Sequence, residues 1–246
     1  MSNSRRTTLK RAMAAALTAQ VMLGVSHDLS AQVGHPPESS PYRDLRAKRV
    51  LSMTAGYLSG SSGTAQVGPG SGPFAGARFD IHLGGPAAAA FGLAFASLDR
   101  TIINPTVAPE ERVLGTASQS VMLADAGIDL LLTGEKSWHR MIPYVGASLG
   151  LALGGAVTAD SSSGFKFATQ FKTGPHVGLW MHSSDRITFR VEARDVIWRL
   201  KYPSGFFANP AQAPDTDPVL DSNTMKDTQW VHHLMLTFAV GFSLGL

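Results

Sequence analysis

A chain of 246 residues with 44% apolar content has room for one sizeable domain, and its zero cysteine count excludes disulfides, thiolate metal sites and a lipidated-cysteine anchor. Its formal charge of +3 belongs to the N-terminal leader: cleavage near Ala31 removes Arg5, Arg6, Lys10 and Arg11 together with Asp28, leaving a formally neutral chain. The basic balance therefore implies nothing about nucleic acid, and no basic patch interleaved with aromatics remains to suggest it.

Residues 1–31 have the form of a cleavable export signal. Four basic residues precede a short apolar core from Ala12 to Val25, and Ser30-Ala31 supply small residues at a cleavage point. That core is too short, and Gln20 too polar, for a transmembrane helix. Ser4 to Lys10 also resembles a twin-arginine signal with Thr8 where phenylalanine is usual, but that route carries folded proteins, and ordinary unfolded export is the expectation. Residues 32–48, with Pro36, Pro37 and Pro41, read as a periplasmic tail tucked against the base of the main domain.

From Arg49 to Leu246 one device repeats: an alternating segment, a long Gly/Pro/Ser-rich gap, another alternating segment, a short turn. Strands are predicted over 49–59, 74–84, 90–99, 119–133, 142–157, 165–182, 186–201 and 230–246. About ten residues suffice for a strand to cross a bilayer, and eight is the smallest usual strand number for a membrane barrel. The gaps Gly60–Pro73, Arg100–Ser118, Asp160–Gly164 and Pro203–Gln229 are predicted as external loops, the third unusually short. The gaps Gly85–Ala89, Gly134–Met141 and Ser183–Asp185 are predicted as periplasmic turns.

Successive side chains of a strand point to opposite faces. Phe79, Ile81 and Leu83 alternate with Arg78, Asp80 and His82. Ala124, Ala126, Ile128 and Leu130 alternate with Asp125, Gly127 and Asp129. Thr173, Pro175, Val177 and Leu179 alternate with Lys172, Gly174, His176 and Gly178. Ile187, Phe189, Val191 and Ala193 alternate with Thr188, Arg190, Glu192 and Arg194. Pro175 cannot donate to a ladder, so a bulge is expected there. A soluble barrel would turn the apolar face inward. The other face is rich in Gly, Ala and Ser, which suits a narrow interior, so the bulky face is assigned to lipid. Trp138 and Tyr144 beside a short turn, and Tyr57, Trp198, Tyr202 and Trp230 near long loops, are expected to form two interfacial girdles.

The last stretch, Trp230–Leu246, carries Leu234, Leu236, Phe238, Val240, Phe242 and Leu244 on one face and no charge on the other after His233. The expected fold is all-β, an eight-stranded antiparallel up-and-down transmembrane β-barrel over 49–246. With these features the chain resembles the small outer-membrane barrels of the OmpA membrane-domain, OmpX and OmpW group. The resemblance is architectural and places the chain in a bacterial outer membrane, as a monomer among lipid and lipopolysaccharide. The last strand is similar to the C-terminal signal read by the barrel-assembly machinery, though it ends in Leu246 where phenylalanine or tryptophan is usual. No peptidoglycan-binding domain is expected after it.

The predicted lumen set is Arg78, Asp80, His82, Asp125, Asp129, Lys172, His176, Arg190, Glu192 and Arg194, with four positive and four negative charges besides histidine. Desolvated charges need partners, and equal numbers permit mutual pairing. A lumen plugged by paired charges, in a barrel of structural or surface-interaction role, is therefore the expected function; the resemblance to OmpA also implies such a plug. A narrow passive channel is the alternative, although a selective pore favours one dominant sign. A lipid A-modifying enzyme is the third reading. For it, His182-Ser183-Ser184 falls in a periplasmic turn, and no serine at suitable spacing faces the outward His232. His232 and His233 point to opposite faces and form no metal site. No catalytic, cofactor-binding or metal-ligating residue is assigned, and no P-loop, dinucleotide or zinc-hydrolase pattern occurs. The acids Asp215, Asp217, Asp221 and Asp227 of the longest loop could attract divalent cations, but a solvated loop is the expectation.

Overall fold

The structure, a computed structural model, describes residues 40–45, 48–155 and 157–244. The export signal, most of the tail and the terminal Leu246 lie outside the described residues. Ten strands occur among those described: β1 (Tyr42–Asp44), β2 (Arg49–Gly60), β3 (Gly72–Gly84), β4 (Ala87–Ile103), β5 (Val113–Leu131), β6 (Lys136–Trp138), β7 (Met141–Gly154), β8 (Gln170–His182), β9 (Ile187–Lys201) and β10 (Thr228–Ser243). The eight long ones, all but β1 and β6, form a closed antiparallel up-and-down barrel. The last joins the first through a continuous ladder from His233–Gly60 to Ser243–Val50, so no edge is left open.

The alternating face decides which side meets lipid. Phe91, Phe95, Leu93, Ile128, Leu149, Phe171, Val177, Leu236, Phe238 and Phe242 are exposed on the outer wall, while Arg78, Asp80, Asp129 and Lys172 are buried inside. A soluble barrel would reverse this arrangement, because exposed aromatics and buried charges both cost free energy in water. In a bilayer the same outer wall is solvated by hydrocarbon, and closure satisfies every strand edge. The barrel is a membrane-spanning one.

Two loops differ in length from expectation. β4 and β5 remain paired out to Ile103–Val113, beyond the apolar belt, which shortens the loop between them to 104–112. Ladder hydrogen bonds need no apolar side chains, so the strands outlast the hydrophobic pattern. Conversely β7 ends at Gly154 and β8 begins at Gln170, so the connection predicted as short spans 155–169. Phe165 and Phe167 mimic strand alternation there, but they turn into the barrel mouth and are buried. The predicted turn 134–141 contains β6, which pairs with Tyr42–Asp44 of the tail at the short-turn end.

The bulge expected at Pro175 is absent. The β8–β9 register is the same on both sides, at Thr173–Ile197 and His176–Arg194, and the ladder is only interrupted between them. On its other edge Pro175 pairs normally with Ala147. A missing donor thus removes bonds toward one neighbour without forcing an extra residue. Register shifts do occur between Ile102 and Ile103 and between His82 and Gly84, the latter before a turn where Gly84 and Gly85 have φ of +104° and +58°.

The two aromatic girdles need correction. Tyr57, Trp138 and Trp230 are exposed on the outer side, but Tyr144, Trp198 and Tyr202 are buried. Trp198 shares the even-numbered inward face of β9 with Arg190, Glu192 and Arg194, so its parity sends it into the lumen.

Candidate functional site

Three layers fill the barrel interior. At the long-loop end, Leu58, Phe74, Leu98, Leu123, Val196, Trp198 and Leu200 pack with Phe165, Phe167, Phe206 and Leu220, which the loops send down into the mouth. At the short-turn end, Leu131, Ile142, Tyr144 and Trp180 form a second apolar cluster, covered by Leu45 of the tail. Between them lie the charges. Small residues of β2, β4 and β10 (Ser52, Ala90, Ala94 and Ala239 among them) point inward and leave room for long side chains from β3, β5, β8 and β9.

Those side chains form one connected network. Arg78 is its hub: Nε donates to Asp80 at 2.7 Å, Nη1 to Glu192 at 3.0 Å and Nη2 to Asp129 at 2.5 Å. Arg190 reaches the other oxygen of Asp80 at 3.1 Å. Arg194 bridges Glu192 and Asp125, each at 2.8 Å, and also donates to Ser148 Oγ at 3.0 Å. Lys172 Nζ donates to the second Asp125 oxygen at 2.7 Å. His176 Nε2 lies 2.8 Å from Asp129 Oδ1. Every residue of the predicted set except His82 is joined in this way. His82 faces the same interior, where its ring stands edge-on to Trp180 at 5.2 Å and neither ring nitrogen has a protein partner.

Enclosure between two apolar layers lowers the local dielectric, which strengthens each pair and raises the cost of an unpaired charge. Guanidinium groups suit this setting because several donors in one plane can serve several carboxylates at once. A void of about 30 Å³ lies among Arg78, Asp125, Arg190, Glu192 and Arg194, room for a water and not for a solute.

Sequence reasoning missed Tyr144, whose hydroxyl donates to Glu192 at 2.7 Å. Its ring lies across Gly178, where an added Cβ would come within 2.4 Å of the ring. Gly178→Ala is therefore expected to push Tyr144 off Glu192 and cost about 1–3 kcal/mol. A lowered urea midpoint with an unchanged slope would register that loss; an unchanged midpoint would show that the ring moves freely.

A second ion pair, Arg100 with Asp160, closes the mouth, with the guanidinium 4.9 Å above the Phe165 ring and Ser163 Oγ donating to Asp160 at 2.5 Å. Loops are tied to one another: Arg112 donates to the Asp217 carbonyl at 2.8 Å, and Gln212 N to the Thr106 carbonyl at 2.8 Å. The Tyr202 hydroxyl donates to Gln229 Oε1 at 2.7 Å, and burial lifts its phenol above the usual value. Asp221 accepts from Asn223 N at 2.8 Å and so caps its own turn. Among the described residues no group of three or more His, Cys, Asp or Glu is placed to hold a metal ion.

Sequence reasoning also gave His232 no partner. Its Nδ1 lies 2.8 Å from Asp195 Oδ2 on the outer wall, while Ser59, one pair away on β2, makes no hydrogen bond to it. Parity along β9 puts Asp195 outward with Ala193 and Ile197, which was the available signal. His233 points inward, onto Trp198 at 4.2 Å, with Nε2 2.9 Å from the Pro69 carbonyl. His182-Ser183-Ser184 sits at the short-turn end, where Ser184 Oγ accepts from Ile187 N at 3.1 Å and shapes the turn.

No family model and no curated protein matches this chain. Among solved structures, Neisserial surface protein A (NspA) is similar at 15% identity and a TM-score of 0.47, over 83% of this chain and 98% of that one. The outer membrane protein OprG from Pseudomonas aeruginosa is similar at 10% identity and a TM-score of 0.47, over 81% and 98%. Ail, the attachment invasion locus protein of Yersinia pestis, is similar at 11% identity and a TM-score of 0.35, over 79% and 98%.

Proposed function

We propose that this chain is a bacterial outer-membrane barrel with a structural or surface-interaction role, its lumen closed by paired charges. The observation that carries the reading is the connected network around Arg78, held between two apolar layers. The short turns and the tail strand then face the periplasm, and the long loops face the exterior. Those loops, tied together through Arg112 and Gln212, supply the ordered surface on which recognition would take place. The apolar alternation of β10 supports its use as the recognition strand for the barrel-assembly machinery, and the closed sheet needs no second copy to cover an edge.

The test is electrical. The chain, refolded into vesicles and checked by a heat-dependent gel shift, is fused to a planar bilayer. No steady conductance is expected. The double variant Arg78→Ala/Arg194→Ala, which empties the centre of the network, is expected to admit ions. Steady conductance of the unaltered barrel that changes when Asp129 or Arg190 is neutralised would make it a narrow channel and end the plug reading.

A further inference from the structure

We infer that the outer wall along β9 and β10, at the long-loop rim, binds a phosphorylated, acylated lipid of the leaflet it faces. The inference rests on the reading of the chain as an outer-membrane barrel. The register lays out the seam in order. Ala193 pairs with Leu236, Asp195 with Leu234, Ile197 with His232, Arg199 with Trp230 and Lys201 with Thr228. All of these side chains share the outward face, so moving toward the loops the wall changes from apolar to polar to cationic.

Each level matches one part of such a lipid. At the bottom, a shallow apolar groove of about 800 Å³ runs along the outer wall, lined by Val177, Val191, Ala193, Leu236, Phe238 and Tyr57. The small side chain of Ala193 beside bulky Phe238 and Leu236 gives it depth, and hydrocarbon is the only solvent at that height. One level up, His232 and Asp195 bond to each other, which occupies Nδ1 and leaves Nε2 facing out at the height of the ester or amide linkages. At the top, Arg199 and Lys201 are exposed, neither makes an ion pair among the described residues, and Trp230 lies directly beside Arg199. Six residues separate Ala193 from Arg199, roughly 20 Å at about 3.3 Å per residue, which suits one acyl chain and its headgroup.

Charge complementarity selects the occupant. Exposed cations at a lipid rim, without carboxylate partners, favour phosphate, which arginine can grip through two donors. Elsewhere the rim differs. The corresponding outward positions on β4 and β5 are Ser97, Asp99, Thr116 and Ser118, with Ser97 and Ser118 hydrogen-bonded to each other at 2.6 Å. No lysine or arginine stands at those β4 and β5 positions, whereas Arg199 and Lys201 stand on the seam that borders the groove.

The experiment uses the full barrel refolded into phosphatidylcholine vesicles. These are doped either with a bis-phosphorylated, multiply acylated glycolipid or with the same glycolipid after phosphatase treatment. Barrels are then extracted into detergent, and retained lipid is counted by native mass spectrometry. The unaltered chain is expected to retain the phosphorylated form preferentially. Arg199→Gln/Lys201→Gln is expected to lower that retention about tenfold, while Lys136→Gln, which removes an exposed cation at the opposite, short-turn end, leaves it unchanged. Equal retention of the two glycolipids, an unchanged double variant, or an equal loss with Lys136→Gln would overturn the inference. The heat-dependent gel shift on the same samples separates the two readings: a chain that fails to insert counts against the membrane barrel, and a folded barrel without lipid preference counts against the seam alone.

Discussion

Replacing Asp129 with alanine is expected to destabilise the folded barrel by about 3–5 kcal/mol. Asp129 is fully buried and serves two partners, Arg78 at 2.5 Å and His176 at 2.8 Å. The variant leaves Arg78 with Asp80 and Glu192, but the third donor loses its carboxylate in a confined space with room for little more than a water. The measurement is urea unfolding of the barrel in vesicles, followed by the gel shift and by tryptophan fluorescence. Asp129→Asn keeps an acceptor and the shape of the site, so a smaller loss, about 1–3 kcal/mol, is expected. A double-mutant cycle with Arg78→Ala should show strong coupling, because removing both partners leaves fewer orphaned charges than removing one. A loss below about 1 kcal/mol for Asp129→Ala would mean that solvent reaches the network, and the closed-lumen reading would fail with it.

Trp198→Ala is the other large effect, about 3–5 kcal/mol. Trp198 is completely buried in the upper layer, against His233 at 4.2 Å and edge-on to Phe167 at 5.5 Å. Truncation leaves a cavity inside a rigid closed wall, which has little freedom to collapse. Phe167 belongs to the 155–169 loop, so the loop loses one of its anchors as well. Alongside the lowered urea midpoint, limited proteolysis of intact vesicles should cut that loop faster than in the unaltered barrel. Unchanged proteolysis with a lowered midpoint would show that Phe165, under the Arg100–Asp160 pair, holds the loop by itself. Substitution of the exposed Trp230 removes no interior packing and is expected to leave the midpoint within about 0.5 kcal/mol.

Alternation at period two is a local property of the chain, and it was enough to read the eight long strands and their two faces. It puts Arg78 and Asp80, or Glu192 and Arg194, on one side of their strands whatever those strands pair with. The export signal and the last two residues are legible only as sequence, because they lie outside the described residues. Parity was available for Trp198 as well; grouping aromatics by closeness to a loop overrode it and sent an inward residue to the wrong side of the wall.

Period two cannot give the partner across the barrel. Register, tilt and closure bring β3 opposite β9 and so set Arg78 against Glu192, 114 positions away. They also set Tyr144 over Gly178, Asp195 beside His232, and the loop residues Phe165 and Phe206 down into the mouth. The ladder gap at Pro175 was decided in the same way: the neighbouring pairs hold the register on both sides, so a missing donor costs bonds and leaves the strand in step. Facing depends on a strand's own geometry, so the order of residues alone settles which side chains turn inward and which meet lipid. Which charge meets which, and where the wall turns from apolar to cationic, had to wait for the folded barrel, because closure brings together strands that lie far apart in sequence.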